Sequence, residues 1–211
     1  MSSLCGKYAC YAILPPMTDR IRNLTDELLS DNWYTLRKYA YDYRRSDGVW
    51  ERQEREAYDR GNGAAILLYN PERETFLLTR QFRLPTFVNG NPGGFLTEVC
   101  AGILDDLDPE ACIRKETMEE TGVAIERVEK VCEAYMSPGS VTEILHCFIG
   151  EYTDRDRTGT GGGLDAEQEE IETLEIPVAE AGSMLQRGEF RDAKTILLLQ
   201  HFFLRQALSE G

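Results

Sequence analysis

The stretch from Ala101 to Val123 constrains this chain more than any other, because its residues fix both ends of one helix. It reads A-G-I-L-D-D-L-D-P-E-A-C-I-R-K-E-T-M-E-E-T-G-V. Asp108 is a typical N-cap residue, and Pro109 suits the first helical turn that follows it. Gly122 suits the position just past a helix C-terminus. These signals predict a helix that begins at Pro109 and ends before Gly122.

Three carboxylates lie on one face of this predicted helix. Glu116, Glu119 and Glu120 are spaced at i, i+3 and i+4, which brings their side chains together. Like charges at this spacing repel by roughly 0.2–0.5 kcal/mol per pair in an isolated helix. A hard divalent cation with oxygen ligands would offset that repulsion. A solvated acidic face would give the same spacing, so the spacing alone leaves both interpretations open.

The stretch resembles the Nudix box, the loop–helix signature of a family that hydrolyses nucleoside diphosphates linked to another moiety. The usual pattern is a Gly, five residues, a Glu, seven residues, then R-E-U-x-E-E-x-G-U, where U is aliphatic. Here the span from Gly102 to Glu116 is one residue shorter, and Asp108 stands where the first Glu is expected. Lys115 replaces the Arg, and Thr117 replaces an aliphatic residue. The three carboxylates are retained, so we expect an intact metal site after a loop of altered shape.

The resemblance extends beyond the box to the Nudix branch that splits ADP-ribose and nucleotide sugars. It is carried there by the strings R-Q-F-R, V-C-A-G, S-P-G-S-V-T-E and E-Q-E-E-I. Within that branch the chain is most similar to the bacterial group that acts on GDP-mannose. The matching strings are S-D-N-W-Y-T-L, Y-D-R-G-N-G, F-V-N-G-N and R-D-A-K-T-I-L-L-L.

The resemblance implies an enzyme that hydrolyses the pyrophosphate bond of GDP-mannose to GMP and mannose 1-phosphate. Its cofactor would be Mg²⁺, or Mn²⁺ in its place. One alternative keeps the reaction but takes ADP-ribose, giving AMP and ribose 5-phosphate. Another is a non-catalytic module that binds a nucleotide sugar, and the retained carboxylates argue against it. Attack at the sugar carbon, which would release GDP and mannose, stays open.

The same resemblance implies a metal site and a base. The main-chain carbonyl of Ala101 would join Glu116 and Glu120 as ligands, and Glu169 would be added when substrate is bound. Glu167 and Glu169 both match positions that provide a base or a metal ligand. Their roles are not separated by the sequence, and a solvated acidic loop is the structural alternative for either residue.

Seven further residues match substrate-binding positions of the branch: Trp33, Arg55, Glu56, Arg83, Glu143, Gln168 and Lys194. The base would stack on Trp33 and donate to Glu56, while Arg83 would contact a phosphate. Each position also has a structural interpretation. Trp33 would suit a dimer core, Arg83 and Lys194 would suit exposed surface charges, and Glu143 would suit a surface strand end.

Charge and cysteine content narrow the classes of partner. The 211 residues carry a formal net charge of −14, which gives the chain no electrostatic reason to bind nucleic acid or an anionic membrane. No apolar run approaches the roughly 20 residues that span a bilayer. The six cysteines form no C-x-x-C pair, and four lie in apolar segments, so we expect a cytoplasmic, reducing setting without disulfides.

The order of strand and helix signals predicts an α/β fold. Ser46-Asp47-Gly48 is a predicted hairpin turn, and Thr75–Phe82 and Phe95–Ala101 are predicted strands. Residues 154–168 are predicted to form a polar loop that is most flexible at its glycines. We expect residues 1–18 to be a disordered or loosely packed lead, 19–60 a small antiparallel sheet, and 61–211 the Nudix domain. That domain should be an α/β/α sandwich with a mixed sheet, as the resemblance also implies. The small sheet buries too little by itself and needs a partner. The resemblance makes this a homodimer with exchanged N-terminal sheets, which bind the nucleotide.

Overall fold

The computed structural model describes residues 17–164 and 168–209. The chain divides between Asp59 and Arg60 into two compact units, and each is described here by itself. The lead predicted for residues 1–18 lies almost entirely outside the described residues. The dimerisation and nucleotide-binding roles predicted for residues 19–60 stay predictions.

The N-terminal unit is a three-stranded antiparallel sheet with strand order β1-β2-β3. A short 3-10 helix (Met17–Arg20) precedes β1 (Ile21–Asp31), β2 (Thr35–Arg44) and β3 (Trp50–Asp59). The hairpin predicted at residues 46–48 is confirmed, with Gly48 at a φ of 85°. Within residues 19–59 no side chain is fully buried. This sheet therefore has no core of its own, which agrees with the inference that it needs a partner.

The described residues of the second unit form seven strands and four α-helices. The strands are β4 (Gly63–Asn70), β5 (Thr75–Phe82), β6 (Phe95–Glu98), β7 (Cys100–Ile103), β8 (Glu129–Tyr135), β9 (Ile144–Glu151) and β10 (Glu172–Pro177). The helices are α1 (Leu84–Val88), α2 (Pro109–Thr121), α3 (Val178–Gln186) and α4 (Ala193–Ser209), with a 3-10 turn at Asp154–Asp156.

These strands form one mixed sheet in the order β10-β5-β4-β9-β8, with β4 and β9 parallel. Strands β4 and β5 pair only near their hairpin, over Leu68–Asn70 and Thr75–Leu77. Beyond it the two strands separate, and the following chain fills the gap: β6 pairs with β5, and β7 pairs with β4. Val99, between β6 and β7, thus marks the point where the chain changes partner.

Alternate residues of the central strands supply two apolar cores, one on each face of the sheet. Ala65 and Leu67 on β4 face the core that contains Leu198 and Leu199 of α4. Ala64, Ile66 and Leu68 face the other core, where α2 contributes Cys112 and Ile113. This alternation is the period of two expected for a strand buried on both faces. The predicted sandwich with helices on both faces is confirmed.

One local prediction was wrong. One continuous strand was expected over Phe95–Ala101, but the change of partner at Val99 breaks it into β6 and β7. The flexibility expected at the glycines of the loop 154–168 stays a prediction. In the described part of that loop, the amides of Gly162 and Gly163 donate to the carbonyls of Glu120 and Glu119, at 2.9 and 3.1 Å. These hydrogen bonds anchor the described part of the loop to the end of α2.

Within the described ranges, no helix is long and apolar enough to cross a membrane. Cys100, Cys112, Cys132 and Cys147 are all free thiols, as predicted for these four residues. Cys5 and Cys10 lie outside the described residues.

Candidate active site

Helix α2 begins and ends where the sequence predicts. The Asp108 side chain accepts hydrogen bonds from the amides of Glu110 and Ala111, both at 3.1 Å. At the other end Gly122 adopts a left-handed conformation with a φ of 73°, and its amide donates to the Met118 carbonyl. These local contacts fix the helix register and therefore the direction of its carboxylates.

Glu116 lies directly against β7. A Cβ placed on Gly102 would overlap the carboxylate carbon of Glu116, so the absence of a side chain at 102 allows this approach. The carbonyl of Ala101 belongs to the same peptide unit as the Gly102 amide. Helix α2 and strand β7 therefore bring the Glu116 carboxylate next to the stretch of backbone that contains the predicted carbonyl ligand.

Glu120 is a carboxylate in an apolar interior. Its residue is 2% exposed, and its Oε2 atom is buried with no hydrogen-bond partner among the described residues. The pKa of Glu120 is raised to about 8, chiefly by burial and in addition by the nearby carboxylates of Glu169 and Glu116, while a hydrogen bond with Cys100 and the charge of Arg83 oppose the shift. An orphaned buried carboxylate oxygen is costly unless a cation or proton satisfies it.

Glu119 differs from its two neighbours because a lysine neutralises it. Lys115 Nζ lies 2.8 Å from the Glu119 carboxylate and 3.6 Å from that of Glu116. The lysine that replaces the usual arginine thus still pairs with two carboxylates of the helix. Arg114, next to it, instead donates to the backbone carbonyls of Ile125 and Glu126. We therefore rank Glu119 below Glu116 and Glu120 as a metal ligand.

The donor set fits a hard divalent cation, although its side chains are not already gathered around one point. Within residues 17–164 and 168–209 no three Asp, Glu, His or Cys side chains form a ready-made cage. The fit rests instead on the orphaned Oε2 of Glu120, the adjacent Glu116 and the Ala101 backbone. Mg²⁺ suits such a site because it keeps several waters and needs few protein carboxylates.

The loop after residue 158 brings a third carboxylate towards the helix. Glu169 is half-buried, its amide donates to the Leu164 carbonyl at 3.3 Å, and its charge acts on Glu120. Gln168 is exposed and has a φ of 58°, an uncommon conformation for a residue other than glycine. Glu167 lies outside the described residues, so its predicted role as base stays a prediction.

Arg83 and Lys194 meet at one buried carboxylate, that of Glu98. Arg83 Nε donates to Glu98 Oε2 at 2.7 Å, and Lys194 Nζ donates to Glu98 Oε1. Lys194 also pairs with Asp192 at 2.8 Å, and its side chain is only 12% exposed. Burial opposes the charge of Lys194, but Glu98 and Asp192 outweigh it and raise its pKa. Lys194 is thus not the exposed lysine of the alternative interpretation.

Glu143 precedes β9 and is largely covered. Its side chain is 14% exposed, and its carboxylate lies 3.5 Å from Nε of Arg60. A Cβ placed on Gly63 would lie 3.2 Å from Glu143 Oε1, so this carboxylate also packs against the start of β4. The geometry does not favour the surface strand end considered for Glu143.

The three remaining predicted residues belong to the N-terminal unit. Trp33 follows β1, is 74% exposed, and meets Tyr34 edge to face with ring centroids 6.4 Å apart. Arg55 and Glu56 are exposed neighbours on β3, and Arg55 donates to the Glu54 carbonyl. Because adjacent strand residues point to opposite faces, a ligand on one face would meet only one of these two side chains.

Two family models together cover most of the chain. Residues 59–199 match the NUDIX domain, and residues 20–58 match the GDP-mannose pyrophosphatase NudK N-terminal domain. The chain belongs to the Nudix hydrolase family. The fold class predicted from the Nudix box is thereby confirmed, as is the presence of a small N-terminal sheet.

Two bacterial members of the Nudix family are similar to this chain over about nine tenths of its length. A GDP-mannose pyrophosphatase of Cronobacter sakazakii is 54% identical over 90% of this chain and 98% of its own length. The enzyme of the same name from Pectobacterium atrosepticum is 53% identical over 92% of this chain and its full length. The crystal structure of an ADP compounds hydrolase shares the Nudix fold, with a TM-score of 0.65 at 18% identity, covering 90% of this chain and 94% of that one.

Sequence reasoning missed Glu98, which the structure places between Arg83 and Lys194. A signal was available, because the strand F-L-T-E-V-C-A-G-I carries one carboxylate among apolar residues. A charged residue in such a strand is either exposed or paired, and Glu98 is paired. The sequence did not indicate which cations would pair with it.

Proposed function

We propose that this Nudix hydrolase splits the pyrophosphate bond of GDP-mannose, releasing GMP and mannose 1-phosphate. The substrate follows from the activity for which relatives that share more than half of their residues with this chain are named. The observation that carries the reaction is the buried, unpartnered Oε2 of Glu120, with Glu116 and Glu169 close enough to raise its pKa. A cation or a proton would satisfy such a carboxyl group, and a cation there would serve a diphosphate.

We assign the divalent cation, Mg²⁺ or Mn²⁺, to Glu116, Glu120 and the Ala101 carbonyl, with Glu169 joining in the presence of substrate. When bound, such a cation neutralises phosphoryl charge and lowers the pKa of a coordinated water. Lys115 supports the helix side of this site by holding Glu119 and lying near Glu116. Glu167 and Glu169 remain the candidates for the base.

The substrate contacts combine basic and polar side chains. Arg83 and Lys194 would bind the diphosphate and the sugar phosphate, because both cations meet at Glu98 and the charge of Arg83 acts on Glu120. Glu143 and Gln168 would contact substrate or water. In the N-terminal unit, the exposed Trp33 ring offers a stacking surface for the base. Arg55 or Glu56, which point to opposite faces of β3, would add a polar contact to the nucleotide.

We further propose a homodimer with exchanged N-terminal sheets, acting in the cytoplasm. The absence of any fully buried side chain in residues 19–59 supports the dimer, since the sheet leaves apolar groups such as Leu24 and Leu28 60% and 48% exposed. Light scattering should give twice the mass of one chain, and a monomer would remove the exchanged-sheet proposal. The free thiols of the four described cysteines suit a reducing compartment.

Product analysis tests the proposed reaction. The protein is incubated with GDP-mannose and, separately, with ADP-ribose, each with Mg²⁺, with Mn²⁺ and with EDTA. We expect metal-dependent release of GMP, with a higher kcat/KM for GDP-mannose than for ADP-ribose. Release of GDP and free mannose would show attack at the sugar carbon instead. Binding of the nucleotide sugar without any product would favour the non-catalytic module.

A further inference from the structure

A cluster of four charged side chains lies where β6 meets the start of α4, and a carboxylate is at its centre. Glu98 is 3% exposed and accepts hydrogen bonds from both Arg83 and Lys194. Asp192 pairs with Lys194 from the other side. Two cations are thus matched by two carboxylates, and the cluster is neutral as a whole.

The peptide that joins Glu98 to Val99 is hydrogen-bonded to two neighbouring elements. The Thr79 hydroxyl donates to the Glu98 carbonyl from β5 at 3.3 Å. The amide of Val99 donates to Thr195 Oγ1 at 2.8 Å, and the Thr195 hydroxyl donates in turn to Asp192. The carboxylate of Glu98 therefore extends from a segment fixed to both the sheet and α4.

Both cations keep donors that Glu98 does not use. Within the described parts of the chain, the side chain of Arg83 hydrogen bonds only through Nε, which leaves its two terminal nitrogens for another acceptor. Lys194 uses two of its three donors, on Glu98 and Asp192. A guanidinium held at Nε presents two parallel N–H groups, which match two oxygens of a phosphate. The charge of Arg83 also acts on Glu120, so it lies towards the carboxylate helix.

We propose that Glu98 is a positioning residue: it holds Arg83 and Lys194 in one arrangement so that their remaining donors meet the diphosphate of the substrate. This rests on the proposed function, in which both cations bind substrate. Removing one partner of a buried charge cluster leaves the other charges uncompensated, so Glu98 variants are also expected to lose stability. KM separates the positioning effect from that loss, because it reports the affinity of the folded enzyme for its substrate and not the amount of folded enzyme.

The test compares Glu98→Gln and Glu98→Asp with the wild type by GMP release from GDP-mannose at saturating Mg²⁺. The amide of Gln can accept from one cation but turns an N–H group towards the other, so we expect KM to rise about ten- to a hundredfold. Aspartate keeps the charge one methylene further back and should give an intermediate KM. A merely structural defect would reduce the active fraction, lowering apparent kcat at unchanged KM.

Glu175 provides a matched control, because it also bridges two arginines, Arg73 and Arg157, with a side chain 19% exposed. None of these three residues belongs to the proposed site. Glu175→Gln should leave KM within about twofold of the wild type, whatever it does to thermal stability. A rise in KM equal to that of Glu98→Gln would overturn the positioning role.

A double-mutant cycle asks whether Glu98 acts through Arg83. In an Arg83→Gln background, Glu98→Gln should raise KM by much less than it does alone, because one of the groups that it positions is absent.

Full additivity would overturn the inference, as would an unchanged KM in a folded Glu98→Gln protein. If that variant does not fold, Glu98→Asp decides by the same criterion. If the wild type releases no GMP, the proposed function and this inference both fail. If the wild type is active and the Glu98 variants keep its KM, only this inference fails.

Discussion

Gly102 lies beneath the carboxylate of Glu116, so close that a Cβ on residue 102 would overlap the Glu116 side chain. This contact joins strand β7, at the start of the Nudix box, to helix α2, which follows it. Glu116, a proposed metal ligand, can hold this position only because residue 102 has no side chain.

The first prediction follows from that contact. Gly102→Ala should push Glu116 away from β7, lowering kcat for GDP-mannose by about a hundredfold, with an overpacking cost of about 1–3 kcal/mol in unfolding free energy. Gly139→Ala is the matched control, because no atom lies within 4 Å of a Cβ there and its φ is not positive. Steady-state kinetics and thermal denaturation measure both effects. Wild-type kcat in a folded Gly102→Ala protein would contradict the proposed role of Glu116.

A second prediction concerns the orphaned oxygen of Glu120. In EDTA, Glu120→Gln should be at least as stable as the wild type, because an amide is cheaper to bury than a carboxylate. Each kcal/mol gained in unfolding free energy would raise the Tm by about 2–4 °C for a chain of this size. With saturating Mg²⁺, the wild type should gain stability from ligand binding, and the variant should lose most of that gain.

The same variant should lower kcat by about a hundredfold or more. Glu110→Gln serves as its control, since Glu110 lies on the same helix, is exposed, and pairs with Arg114. Differential scanning fluorimetry with and without Mg²⁺ supplies a reading that does not depend on turnover. An equal Mg²⁺-induced Tm shift in wild type and Glu120→Gln would remove Glu120 from the metal site.

Features governed by neighbouring residues could be predicted from the sequence. Asp108 and Gly122 set the ends of α2 through contacts within a few residues, and the strand expected over Thr75–Phe82 appears with those bounds. The side chains that share a helix face also follow from spacing alone, which is why Glu116 and Glu120 were found.

Features governed by distant residues could not be predicted. Glu98 is 15 positions from Arg83 and 96 from Lys194, so no local pattern joins the three. No turn residue marks the break at Val99 in the sequence. The break arises because the chain stops pairing with β5 and starts pairing with β4. The burial that isolates Glu120 likewise depends on the whole fold.

A third prediction separates two neighbouring glycines of the loop that carries Glu169. Gly162 and Gly163 both have positive φ, at 106° and 83°, so alanine at either position should cost a similar backbone strain of about 1–3 kcal/mol. Only at Gly163 would the new Cβ meet Glu169, 2.8 Å from its Cβ and 3.0 Å from Oε2. At Gly162 the nearest atom is a carbonyl 3.9 Å away.

Gly163→Ala should therefore lower kcat about tenfold or more, while Gly162→Ala should change stability alone. Chemical denaturation gives the free energy of unfolding for each variant, and GMP release gives kcat. Each substitution keeps the backbone amide that donates to α2, so a difference in kcat reports the displacement of Glu169. Equal kcat values in the two variants would argue that Glu169 does not need this position for turnover.

The last prediction distinguishes two roles for Trp33. Its ring is 74% exposed on the N-terminal unit, and base stacking on an aromatic side chain is worth about 1–3 kcal/mol. Trp33→Ala should therefore raise KM for GDP-mannose about tenfold and leave the mass found by light scattering unchanged. Trp50→Ala is the control, because that ring is half-buried and already covered by Arg22, whose guanidinium lies 3.9 Å from the ring centroid. A halved mass for Trp33→Ala with an unchanged KM would place Trp33 in a dimer core instead.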